Sequence, residues 1–241
     1  MSGAASETLA TTIRELVDAN HILFDQGVVD GFGHVSIRDE HRPDCFIMAR
    51  SMAPALVTVD DLMRFDLDAN PTDPDAPRPY LERFIHSEIY RLRPDVMAVV
   101  HHHAPSIIPF GATKTPLRPI YHMSGFLGAG VPVFDIRCDS GETDMLIRTR
   151  ELGRAHANCL GPCAATLMRG HGATVVGSSL QQVVYRSVYM EMNARLQANA
   201  MRLGDPIYLT EIEARLASAT NDGQLQRPWD LWAQEVTEAS D

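Results

Sequence analysis

The chain has 241 residues, 45% of them hydrophobic, and a formal charge of −10 from 21 Lys and Arg against 31 Asp and Glu. A chain of this length buries roughly three-quarters of its unfolded surface, and its near-average composition excludes a disordered or fibrous protein. The acidic balance argues against nucleic-acid binding, which needs a basic footprint.

In chain order, Leu9, Ile13 and Leu16 recur at helical spacing, with Ser6 as an N-cap and Gly27 as the stop. Short strands are predicted at 34–38, where Val35 and Ile37 alternate, and at 45–49. Thr58-Val-Asp-Asp61 reads as a capping box for one helical turn, with a strand following at 63–67. Residues 70–79 hold four prolines and form a surface loop inside one domain. Leu81, Ile85, Ile89 and Leu92 make one apolar face of a helix that Pro94 closes.

An apolar strand at 95–100 then runs into His101-His102-His103. A strand at 131–136 precedes a helix at 141–157, and strands at 165–168 and 173–176 flank the turn Arg169-Gly-His-Gly172. Ser179 caps a long helix to Leu203, a shorter one covers 211–217, and residues 221–241 carry a turn and both tryptophans. The reading is a single α/β domain over 1–241 with one sheet and helices on both faces. Residues 204–241 are a C-terminal tail packed near the active site or a subunit interface.

The cysteines Cys45, Cys138, Cys159 and Cys163 fit no disulfide framework and no CxxC pair. The N-terminus lacks a basic segment followed by an apolar one, and no apolar run approaches the roughly 20 residues that span a bilayer. The expectation is a cytoplasmic protein with no membrane partner.

The histidines carry the chemistry. Side chains alternate along a strand, so His101 and His103 share a face about 6.6 Å apart while His102 faces away. Two imidazoles so placed can converge on one ion, which needs a further ligand from elsewhere. His171 is the candidate, because its flanking glycines let a ligand approach closely. Glu82 reads, on spacing alone, as an ordinary acid at a helix start.

Gly33-His-Val-Ser36, then Glu82, His86, Tyr90, Arg93-Pro-Asp95, His101-x-His103 and Arg169-Gly-His-Gly172 together resemble the class II aldolase/adducin superfamily over about residues 8–203. The resemblance implies a three-layer αβα sandwich with a central, mainly antiparallel sheet, and a homotetramer with active sites at subunit interfaces. It also implies one divalent ion per subunit, Mn or Zn, on His101, His103 and His171, with Glu82 as the catalytic acid/base.

The sugar-phosphate members place Asn after the first glycine and small hydroxyl residues around the second loop and before the glutamate. Here those places read His34, Arg50-Ser51-Met52-Ala53 and Pro79-Tyr80-Leu81. The small-residue phosphate cradle is missing. An Arg matches a planar carboxylate with two parallel bonds, so Arg50, His34 and Ser51 become candidate substrate-binding residues; a solvated Arg50 and a turn-holding His34 are the alternatives. His122, with Tyr121 beside it, falls where family aldolases present a proton-donating tyrosine from a neighbouring subunit, and a histidine can donate near neutral pH. Trp229 is either an aromatic wall of the pocket or part of a docked tail.

This set resembles the branch containing metal-dependent decarboxylases of hydroxylated aromatic dicarboxylates, such as those acting on 3-hydroxy-2-methylpyridine-4,5-dicarboxylate or 3,4-dihydroxyphthalate. It implies a lyase of aromatic-compound catabolism acting on a small aromatic carboxylate. The alternative is an aldolase cleaving a non-phosphorylated hydroxy-keto acid or a sugar-derived substrate. A non-catalytic module like the adducin head has no need of the complete His101, His103, His171 and Glu82 set.

Overall fold

The computed structural model describes residues 2–238, with side chains from residue 9 onward. The elements, in order, are α1 (Ser2–Asp25), β1 (His34–Arg38), β2 (Cys45–Ala49), β3 (Leu62–Asp66), α2 (Arg83–Leu92), β4 (Ala98–His102), α3 (Ile108–Ala112), β5 (Val133–Phe134), α4 (Arg137–Ser140), α5 (Arg150–Leu160), β6 (Ala165–Met168), β7 (Gly172–Gly177), α6 (Leu180–Leu203), α7 (Glu211–Asp222) and α8 (Gln226–Glu238). The strands form one seven-stranded sheet ordered β3-β2-β1-β4-β7-β6-β5. All pairs are antiparallel except β5 with β6.

Strand alternation divides the apolar residues into two clusters. Val35, Ile37, Ala98, Val100, Ala173 and Val175 pack with residues of α1, α6 and α8. Phe46, Met48, Val99 and Val176 pack with Ile85 and Ile89 of α2 and with Ala157 and Leu160 of α5. The sheet therefore buries both faces, each under its own helices. Among the described residues, no helix is long and apolar enough to cross a membrane.

Several expectations change. The first helix begins at Ser2, four residues before the predicted cap at Ser6, so Ser6 lies inside it. Only Ile85 and Ile89 of the expected apolar stripe are fully buried; Leu81 precedes α2, and both Leu81 and Leu92 are exposed. The strand expected at 131–136 is two residues long. The helix expected at 141–157 starts later: α4 ends before Gly141, a loop follows, and α5 runs from Arg150 to Leu160 under a cap where Thr149 accepts from Leu152 N. The expected tail is the helical pair α7 and α8. The first packs on the 3-10 turn His122–Leu127, the second on α1 and α6.

The register brings the candidate site together. His34 of β1 pairs with His101 of β4, and His101 with Thr174 of β7. Gly33 makes this approach possible, since its φ is +100° and a Cβ there would meet Val29 Cγ1 at 2.6 Å and the His101 carbonyl at 3.1 Å. At Gly172 a Cβ would collide with the His102 carbonyl oxygen and press on His103 Cδ2 at 3.0 Å. Gly172→Ala is expected to cost about 1–3 kcal/mol of stability and to weaken metal binding by displacing His103. A thermal melt and a metal titration of the variant check both.

Candidate active site

His101 leaves β4 on the face shared with Val99, and His103 follows one residue beyond the strand end. His171 comes in from the turn between β6 and β7, where Gly170 takes φ +63°. The Nε2 atom of His103 lies 3.0 Å from His101 Nε2 and 3.1 Å from His171 Nε2. Glu82 sits at the N-cap position of α2 without capping it by its side chain, and its Oε2 lies 3.5 Å from His101 Nε2 and 3.4 Å from His171 Nε2. One ligand atom from each of the four residues falls within a 4.8 Å sphere of mutual distances.

The backbone sets the protonation of this cluster. His101 Nδ1 lies 3.1 Å from the Ala173 carbonyl, and His171 Nδ1 lies 3.0 Å from the Met145 carbonyl. A carbonyl only accepts, so each Nδ1 carries a hydrogen, and the neutral tautomer of each ring turns a bare Nε2 inward. Three imidazole nitrogens packed at about 3 Å with two lone pairs facing each other repel unless a proton or a cation sits among them. The donor set therefore fits a divalent metal ion, with nitrogen ligands and one carboxylate at the side.

The electrostatics keep a negative carboxylate beside the rings. Burial would raise the Glu82 carboxyl, but the facing His101 and His171 rings outweigh it and hold it well below the ordinary carboxylate range. Burial likewise lowers His171, yet Glu82 reverses the direction and raises it. His103, further from Glu82, is pushed down to about 4 by burial and by its two histidine neighbours. Glu82 Oε1 accepts from the Ile147 amide at 2.9 Å, which leaves Oε2 for the centre of the cluster.

A pocket of about 350 Å³ opens beside this cluster, walled by Phe32, His34, Tyr80 and Leu146, floored by Glu82, His103 and His171, and edged by Ser51. Neither Lys nor Arg is among its lining residues. His34 is 5% exposed, and its ring stacks obliquely on Tyr80 at 4.7 Å between centroids. Tyr80 Oη donates to the Met52 carbonyl at 2.5 Å and so ties the second loop to the pocket wall. Burial holds His34 well below its ordinary value and His86 behind it at about 3, so both rings are neutral at ordinary pH.

The other candidates lie elsewhere in the protomer. Arg50 is not a lining residue; its Nε donates to Asp61 Oδ1 at 2.7 Å. Trp229 is 5% exposed and packs in the α1, α6 and α8 cluster. His122 is exposed and lines a separate pocket of about 460 Å³ with Tyr185, Tyr189 and Trp232. Tyr121 sits beside it, its buried hydroxyl without a partner among the described residues. His102 points to the opposite face, fully buried, and accepts from the Ala104 amide.

Sequence reasoning missed the loop before α5. Met145 orients His171, Ile147 orients Glu82, and Leu146 lines the pocket. A signal was present in Thr143 and Asp144, whose side chains bond the amides two residues on and so favour turns over helix.

The comparisons follow this geometry. The family model for the class II aldolase and adducin N-terminal domain matches residues 14–198. The chain is 40% identical over 248 residues to a protein named decarboxylase tropJ from Talaromyces stipitatus, covering 93% of each. It is 31% identical over 207 residues to a 3,4-dihydroxyphthalate decarboxylase of a Terrabacter species, covering 79% of this chain and 82% of that one. Among solved structures, an L-fuculose 1-phosphate aldolase from Glaciozyma antarctica superposes with a TM-score of 0.80 at 22% identity, over 98% of this chain and 92% of the other. That last likeness speaks to the fold alone.

Proposed function

Because the chain belongs to the class II aldolase and adducin family, we propose that it is a metal-dependent carboxy-lyase that decarboxylates a hydroxylated aromatic dicarboxylate. What carries the reading is the complete His101, His103, His171 and Glu82 set beside a walled pocket, in a chain 40% identical to a protein named as a decarboxylase. Three imidazole nitrogens suit Zn, and added substrate oxygens suit Mn equally.

His101, His103 and His171 would hold the ion, which when bound supplies Lewis acidity to a carboxylate and its neighbouring hydroxyl. The remaining work falls to the chain. Phe32, Tyr80 and Leu146 offer an apolar wall against which the ring of the substrate would pack. His34 and Ser51 offer polar contacts to its acidic groups, and this role passes to them from Arg50, whose guanidinium is engaged by Asp61. Glu82 enters as a carboxylate, takes the substrate hydroxyl proton at Oε2, and returns it to the ring carbon as the carbon–carboxylate bond breaks and carbon dioxide leaves. Tyr121 and His122 would reach such a site only from a neighbouring copy.

The same reading includes the αβα three-layer arrangement, supported by the two core clusters, a single domain over 1–241, a homotetramer and a cytoplasmic location. Aldol cleavage is the second reading, since the same His101, His103, His171 and Glu82 cluster would stabilise an enediolate. Incubating the Mn- or Zn-loaded protein with ortho-hydroxylated aromatic dicarboxylates should release carbon dioxide and no aldehyde. Sugar phosphates should be cleaved barely or not at all. Efficient aldehyde release from a hydroxy-keto acid or sugar phosphate, with no carbon dioxide from the aromatic panel, would overturn the proposal.

A further inference from the structure

Behind the pocket wall runs a line of buried polar groups of which the reaction above uses only His34. His34 Nδ1 lies 2.7 Å from His86 Nε2, and His86 Nδ1 lies 2.6 Å from Ser36 Oγ. Ser36 Oγ lies 2.7 Å from Tyr90 Oη, whose next partner is the Met97 carbonyl at 3.4 Å. His86, Ser36 and Tyr90 are 0–2% exposed. Only His34 reaches the pocket, and with Nδ1 engaged its remaining polar atom is Nε2.

A neutral imidazole has one N–H and one bare nitrogen, and a buried Ser36 hydroxyl must spend its own hydrogen, so two polarities place every hydrogen of the line in a bond. In the first, Tyr90 donates to Ser36, Ser36 to His86 Nδ1, and His86 Nε2–H to His34 Nδ1. His34 then carries its own hydrogen on Nε2. In the second, every bond is reversed: His34 Nε2 is bare, and the Tyr90 hydrogen is left to the Met97 carbonyl at 3.4 Å. At that length a hydrogen bond is weak, whereas the first polarity spends the Tyr90 hydrogen in a 2.7 Å contact. The line ends on a carbonyl, which neither supplies nor removes a proton. It can orient His34 but not exchange protons with solvent.

We propose that this buried line holds His34 as a hydrogen-bond donor toward the pocket, where its Nε2–H grips an acidic oxygen of the substrate, with His86 and Ser36 as positioning residues. The inference rests on the reading of the pocket as a site for an aromatic acid. It answers a need of that site: the lining holds no Lys or Arg and one carboxylate, so an acidic oxygen of the substrate beyond the reach of the ion needs a neutral donor. A bare nitrogen at Nε2 would repel the same oxygen, so polarity decides between attraction and repulsion.

Nitrogen-15 NMR of the imidazoles, run without substrate, should find His34 protonated at Nε2 in the wild type. In Ser36→Ala, His86 Nδ1 loses its donor and with it the bias that keeps the hydrogen off His34 Nδ1, so the Nε2–H fraction of His34 should fall measurably. Tyr90→Phe removes only the outermost donor, so it should keep the Nε2–H form and hold KM within about twofold. Ser36→Ala should raise KM for the decarboxylated acid, and the Kd for phthalate as an inert probe, by about tenfold or more. It should change kcat much less, as for a group that binds ground and transition states alike. In a His34→Gln background, adding Ser36→Ala should cost nothing further, because the line acts only through His34.

An Nδ1–H form of His34 in the wild type, or a Ser36→Ala penalty as large in His34→Gln as alone, would overturn the proposal. If Ser36→Ala fails to fold, the wild-type form and Tyr90→Phe still decide. A protein that releases no carbon dioxide from any acid would defeat the functional reading, while the NMR result would judge the line independently.

Discussion

Alanine at His101, His103 or His171 is expected to strip the bound metal and lower turnover by about a thousandfold or more. Three protein nitrogens leave no ligand to spare, and losing several kcal/mol of Lewis-acid stabilisation corresponds to that factor. Metal content by elemental analysis, before and after chelation and reloading, should fall together with carbon dioxide release. His102→Ala is the contrast. Its ring lies fully buried on the other face, so the variant should keep its metal while losing about 2 kcal/mol of stability. A ligand variant that retains metal and full activity after chelation would defeat the assignment, and a His102→Ala protein without metal would contradict the strand geometry.

Glu82→Gln is expected to lower kcat by about 10²–10⁴ while metal content stays near one ion per chain. The amide preserves the shape and can still accept from the Ile147 amide at Oε1, so the site should remain assembled. What it removes is the acceptor for the substrate hydroxyl proton and hence the donor to the ring carbon. Single-turnover carbon dioxide release separates this loss from slow product departure. If the variant loses its metal along with its activity, Glu82 is a ligand rather than the proton carrier.

Much of the site was legible because its signals are local. Alternation along β4 placed His101 and His103 on one face and His102 on the other, as the structure has them. The glycines around His171 announced a close approach, and the packing at Gly172 shows what it serves. Missing from the sequence reading were contacts set between separate elements: the Arg50 pairing with Asp61, and the burial of Trp229 in the cluster of α1, α6 and α8. Neither follows from residue type, since an Arg or a Trp satisfies itself wherever the fold offers a partner.

The amino-acid order by itself determined the helix and strand content around the site, the imidazole pair of one strand, the turn that carries His171, and the family. These depend on periods of two and 3.6 residues and on glycine chemistry, which act over a few neighbours. Tertiary structure decided the use of the loop at 141–149, whose turn-forming Thr143 and Asp144 were a local signal that helical periodicity obscured. There the backbone of Met145 and Ile147 bonds His171 and Glu82. Inside a helix the same carbonyl and amide would be spent on their own chain. Tertiary structure also decided the line from His34 through His86 and Ser36 to Tyr90, because it joins β1 to α2 across some fifty residues. Only the packing of α2 on the sheet brings those hydrogen-bonding atoms within reach.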